Sequence, residues 1–72
     1  MMKRYQLLFK GVVQGVGFRY FMQNFAKTYK CTGFVKNLND GSVLVEIQGE
    51  LNQIEHVLEE MKSVKHIVIT DI

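Results

Sequence analysis

The segment Gly11-Val12-Val13-Gln14-Gly15-Val16-Gly17-Phe18-Arg19 brings together residue types that can hold an anion. Its closely spaced glycines let the backbone turn through positive φ and approach a ligand. A helix starting near Phe18 would aim free N–H groups and the positive end of its dipole at the same place. Arg19 adds a permanent charge with forked donors that suit a phosphate or carboxylate. Taken alone, the glycines fit a plain strand-to-helix turn equally well, and it is Arg19 that favours a site. The segment is not a nucleotide P-loop, because Gly17 is followed by Phe18-Arg19 where that motif needs Lys-Ser/Thr. Nor is it a dinucleotide fingerprint, whose third glycine would stand where Tyr20 is.

A second candidate is Asn37, which ends Gly33-Phe34-Val35-Lys36-Asn37 and precedes Gly41. An amide donates to one group and accepts from another without changing charge, so it can orient a water molecule. The plainer alternative is an Asn that closes a strand and helps a turn. Gln14 also has two readings: it shapes the loop, or its side chain covers a bound anion. The other reactive side chains read as structure. Cys31 has no partner for a disulfide or a Cys-x-x-Cys pair and fits a small packed residue. His56 and His66 lack the carboxylate or cysteine spacing of a metal site, so no metal is expected. Glu46, Glu50, Glu55, Glu59 and Glu60 read as solvated faces.

The elements that must position these residues follow from periodicity. Residues 5–12 mix aromatic and aliphatic side chains and stop at the glycines, as a first strand would. Phe18, Phe21, Met22, Phe25, Ala26 and Tyr29 recur at the spacing of an amphipathic helix. Residues 32–38 and 42–48 read as strands joined by Asn39-Asp40-Gly41, with Asp40-Gly41 supplying the positive-φ positions of a tight hairpin. In the second of them Val43, Val45 and Ile47 alternate with Ser42, Leu44, Glu46 and Gln48, the period of a half-buried strand. Leu51, Ile54, Val57, Leu58 and Met61 make a second helical stripe, and residues 66–72 a last β-branched strand. The order βαββαβ predicts an α+β fold: a ferredoxin-like split βαβ sandwich, four antiparallel strands with both helices on one face.

At 72 residues the chain has room for a single domain, residues 1–72, with one core. Its hydrophobic share of 47% and absence of proline and tryptophan place it among ordinary globular sequences. A net charge of +2 is too weak for a dedicated nucleic-acid binder. The apolar run after Lys3 and Arg4 is short and broken by Gln6 and Lys10, so it is neither a signal segment nor a membrane span. A cytoplasmic location is the expectation.

The two motifs together resemble the acylphosphatases, which hydrolyse the carboxyl-phosphate bond of acyl phosphates. The match runs through Gly11 to Arg19, then Gly33 to Asn37, Gly41, Val43 and Gly49; Phe9 departs from it where an aliphatic residue is commoner. The resemblance implies that Arg19 binds the phosphate and that Asn37 positions the attacking water. It further implies that backbone N–H groups of Gln14, Gly15, Val16, Gly17 and Phe18 surround the phosphate oxygens as a nest of oriented amides. Arg19 and Asn37 would be the catalytic residues, with no cofactor, and a substrate oxygen would take the water's proton.

The family is longer. It has a Gly/Pro-containing loop where Met61-Lys62-Ser63-Val64-Lys65 connects almost directly, and it ends in a further strand. A sheet edge left open in this way would template self-association, so the expected state is a monomer or an edge-strand dimer. A rival reading is a silent module that binds phosphate or carbamoyl phosphate, similar to acylphosphatase-like domains of hydrogenase maturation factors. An RNA-binding βαββαβ domain shares the topology, but it needs exposed aromatics on its central strands, and residues 42–48 hold none.

Overall fold

A computed structural model describes all of residues 1–72. Its elements are β1 (Met2–Val12), α1 (Phe18–Thr28), β2 (Thr32–Asn37), β3 (Val43–Glu50), α2 (Leu51–Ser63) and β4 (Val68–Asp71). They form one antiparallel sheet in the order β2-β3-β1-β4, the ferredoxin-like βαββαβ arrangement expected from the order of elements. No helix is long and apolar enough to cross a membrane.

The pleat decides which residues meet the helices. In β3, Val43, Val45 and Ile47 are buried while Leu44, Glu46 and Gln48 are half-exposed. Register carries that alternation across the sheet: Phe9 and Leu7 of β1 stand opposite Val43 and Val45, and Val35 and Asn37 of β2 oppose Val45 and Val43. Phe18 and Met22 of α1 and Ile54, Val57 and Met61 of α2 close the core over this face. Each such side chain contributes roughly 1.5–3 kcal/mol when fully buried. The Phe9 and Phe18 rings meet at 5.0 Å, so the residue that opens α1 is fastened to the sheet centre. Phe21, Phe25, Ala26, Tyr29 and Leu58 pack partly buried against that cluster.

Several details differ from the sequence reading. The last strand is shorter than residues 66–72, running Val68–Asp71 and leaving His66 in the connection before it. β1 begins at Met2, because its first residues pair with the end of β3, Lys3 lying opposite Gly49 and Met2 opposite Glu50. β3 accordingly runs through Gly49 and passes straight into α2. Leu51 has the right period but, as the first residue of α2 directly after β3, is 43% exposed. Asp40 does not take positive φ; only Gly41 does in this turn, at 93°. Asp40 instead accepts hydrogen bonds at Oδ1 from the N–H and hydroxyl of Ser42, an Asx-type closure.

β4 pairs only with Lys10, Gly11 and Val12 of β1, through an irregularity between Lys10 and Gly11. Gly11 permits it. At φ 126° a Cβ there would lie 2.1 Å from the Val68 carbonyl oxygen, so only glycine lets β4 come this close.

Candidate active site

The β1–α1 connection and the end of β2 face one another across a cleft of about 200 Å³. Its walls are Val13, Gly15, Gly17, Phe18, Arg19, Tyr20 and Asn37. Three of the five loop residues named for phosphate, Gly15, Gly17 and Phe18, are thus among its walls, and two anchors place the loop. Val13 is buried at the end of β1, and Phe18 is buried at the start of α1, so the segment between them has to arch outward. Gly15 and Gly17 make that arch at φ 73° and 83°. Gly17 is also the N-cap of α1, where a side chain in left-handed conformation would be strained.

The arch leaves its amides free. Among the backbone hydrogen bonds outside regular elements, none is donated by residues 14–20, and the α1 ladder begins with Phe21 N–H on the Gly17 carbonyl. No side chain accepts from these N–H groups either; the only side-chain acceptor of a backbone N–H is Asp40, serving Ser42. A run of unpaired donors at a helix N-terminus is an anion site in electrostatic terms. Arg19 stands at its rim, exposed and without an acidic partner, as both ion pairs lie elsewhere: the Met1 ammonium with Glu50, and Arg4 with Glu46 at 2.6 Å. The latter pair, on the open sheet face, makes Glu46 more than a solvated side chain. The cleft lining contains no carboxylate, histidine or cysteine.

Asn37 closes the opposite wall. Register puts it on the helix side of the sheet, opposite Val43, and its amide makes no hydrogen bond within the protein. The structure therefore brings Gly15, Gly17, Phe18, Arg19 and Asn37 to one cleft, while Gln14 and Val16 are not among its walls. Gln14 has another task. Its Nε2 donates to the carbonyls of Leu38 at 2.7 Å and Ser42 at 2.8 Å, so both amide hydrogens are spent on the β2–β3 turn. This clasp ties the glycine loop to the residue next to Asn37. Of the two readings open for Gln14, shaping the loop is the one its contacts fit.

Cys31, from the turn after α1, lies far along β2 from the cleft; burial pushes its thiol pKa up, which keeps it the protonated packing group expected. A larger groove of about 500 Å³ runs beside β2, lined by Met22, Ala26, Cys31 and Val35 among others, and shares no residue with the cleft.

Fold and cleft together define a small α/β sandwich with a polar site at the β1–α1 junction. The family model described as acylphosphatase matches residues 5–72, and the chain belongs to the acylphosphatase family. It is 50% identical over 62 residues to an acylphosphatase of Clostridium acetobutylicum, covering 86% of this chain and 68% of that protein. It is 39% identical over 72 residues to one of Thermotoga petrophila, covering 99% and 80%. Among solved structures it is similar to the acylphosphatase of Bacillus subtilis, with TM-score 0.86 and 38% identity over 99% of this chain and 79% of that one. It is also similar to a segment of full-length HypF in a phosphate- and nucleotide-bound form: TM-score 0.89 and 34% identity, spanning 99% of this chain and 10% of that one.

Proposed function

We propose that the acyl-phosphate hydrolysis of this family is carried out here by Arg19, Asn37 and the amides of Gln14 to Phe18. The observation that carries this reading is the juxtaposition of unpaired N–H donors and an unpaired guanidinium with a free amide across one cleft. Phosphoryl transfer asks a protein chiefly to position groups and to stabilise charge on the equatorial oxygens. Arg19 and the loop amides hold those oxygens. Asn37 holds a water on the face opposite the acyl leaving group. The water oxygen bonds to phosphorus as the bond from phosphorus to the acyl oxygen breaks, and the carboxylate departs with that electron pair. The water's proton passes to a phosphate oxygen, giving dihydrogen phosphate. A carboxylate is a good leaving group, so the step needs no protein acid, and the lining residues offer none.

The test is release of inorganic phosphate from a simple acyl phosphate in the presence of a chelator. Arg19→Ala should abolish turnover, and Asn37→Ala should lower kcat more than it raises KM, because its role is in the transition state. A mutant at either position that matches the wild type overturns the assignment of that residue.

The likeness to the HypF segment favours one other reading, a module that binds phosphate or carbamoyl phosphate without turnover. NMR shifts of residues 14–19 on adding phosphate, with no hydrolysis of any acyl phosphate in a panel, would select it. For surroundings and assembly, we place the chain in the cytoplasm, a setting in which the single Cys31 stays reduced. We take it as a monomer that can pair through the outer edge of β2, which has β3 as its one neighbour. Light scattering that finds only monomer across the micromolar range would remove the dimer.

A further inference from the structure

Val16 does not line the cleft, yet its carbonyl is held. His66, in the short connection between α2 and β4, places Nε2 2.8 Å from the Val16 oxygen. The same ring meets Phe21 of α1 edge-on, with centroids 5.8 Å apart at 62°. Phe21 in turn packs beneath Gly17: a Cβ on Gly17 would lie 3.4 Å from its ring. His66 is itself outside the cleft, so it grips the loop from behind.

That grip has a directional consequence. In a trans peptide the C=O and the following N–H point to opposite sides. Fixing the Val16 carbonyl toward His66 therefore turns the Gly17 N–H away from it, and Gly17 is a wall of the cleft. Val16 packs against the core through its side chain and the Gly17 carbonyl accepts from Phe21 N–H, but no other hydrogen bond fixes the rotation of the peptide between them. Gly17 has no side chain to resist rotation about φ, and neither the Val16 oxygen nor the Gly17 N–H has another hydrogen-bond partner in the protein.

We propose that His66 is a positioning residue for the phosphate loop: its Nε2–H donates to the Val16 carbonyl and fixes the Val16–Gly17 peptide with the Gly17 N–H facing the bound phosphate. This rests on the reading of the cleft as the phosphate site. The imidazole acts in the tautomer with hydrogen on Nε2, or as the cation, and touches no reacting atom.

Two variants of the full chain separate the donor from the ring. His66→Phe keeps an aromatic edge on Phe21 and removes the N–H; His66→Gln places an amide N–H at the reach of Nε2. Inorganic phosphate is titrated into ¹⁵N-labelled protein and KM and kcat are measured beside it. We expect His66→Phe to lose about tenfold in phosphate affinity, as for one charge-assisted hydrogen bond, with a smaller Gly17 amide shift and a raised KM. His66→Gln should restore most of both. Wild-type affinity and an unchanged Gly17 response in His66→Phe overturn the proposal alone, as does a His66→Gln no better than His66→Phe. A wild-type chain whose loop amides ignore phosphate overturns the reading of the cleft, and this inference with it.

Discussion

Arg19 has no hydrogen-bond or ion-pair partner within the protein, whereas the other arginine, Arg4, is bonded to Glu46. An exposed, unpaired guanidinium contributes little to folding, and substitutions at such positions usually stay within about 0.5 kcal/mol. Its loss should therefore be felt in chemistry and not in stability. Arg19→Lys is the discriminating change, because it keeps the charge and removes the planar fork that meets two phosphate oxygens at once. We expect Arg19→Lys to retain wild-type thermal stability while kcat/KM falls by about 10²-fold, the scale of one lost donor in a preorganised oxyanion site. A lysine variant of full activity would mean that charge alone suffices. Asn37 belongs to the same description: an amide that bonds to nothing in the protein is free to bond to water and substrate.

At the scale of elements, the site depends on keeping the β1–α1 loop and the β2–β3 turn in register, and Gln14 is the part that does so. Gln14→Leu removes both bonds to the Leu38 and Ser42 carbonyls while keeping the bulk. Those carbonyls retain their turn partners, Gly41 N–H on Leu38 and Leu38 N–H on Ser42, so no polar atom is orphaned. At about 0.5–1.5 kcal/mol per bond, the expected cost is roughly 1–3 kcal/mol in urea unfolding, together with a lower kcat because Asn37 and Arg19 are no longer held at a fixed span. Stability lost with kcat intact would limit Gln14 to folding. Asp40 governs the same turn through pH. Hydrogen bonds from the Ser42 hydroxyl and N–H lower its pKa in the folded state. Its contribution is thus present above its ordinary value and lost as pH falls through the lowered folded one. Between pH 5 and pH 3 the urea midpoint of the wild type should fall further than that of Asp40→Asn; parallel curves would show that the carboxylate adds nothing. These side-chain links explain what could be read in advance. The α1 stripe and the β3 alternation are local periods, so helix, strand and core face were legible in the sequence, and two motifs named Arg19 and Asn37. The contacts of Gln14 with residues 38 and 42, and of His66 with Val16, span 24 to 50 positions with no period to betray them. Leu51 was misplaced for a related reason: a stripe gives direction around the helix but not how far along the helix the core reaches.

For the whole molecule, binding at the cleft and folding are one equilibrium. A 72-residue chain has a folding free energy of roughly 4–11 kcal/mol, so a ligand that binds only the folded state shifts it visibly. Both walls of the cleft are assembled by the fold: the loop between Val13 and Phe18 hangs from the core, and Asn37 is set by pairing with β3. The unfolded chain has no such site. Inorganic phosphate at ten times its Kd should stabilise by about 1.4 kcal/mol, which for a domain of this size raises Tm by roughly 6–11 °C. Phosphate is also excluded from protein surfaces and stabilises many proteins without binding them. The comparison that isolates the site is Arg19→Ala in the same buffers, since surface exclusion acts equally on both chains while only the wild type keeps its guanidinium at the cleft. Differential scanning calorimetry should show the wild type gaining several degrees more than Arg19→Ala as phosphate rises, with the difference saturating. A difference that stays at zero, or grows without saturation, would mean that the fold has not built a phosphate site at the β1–α1 junction.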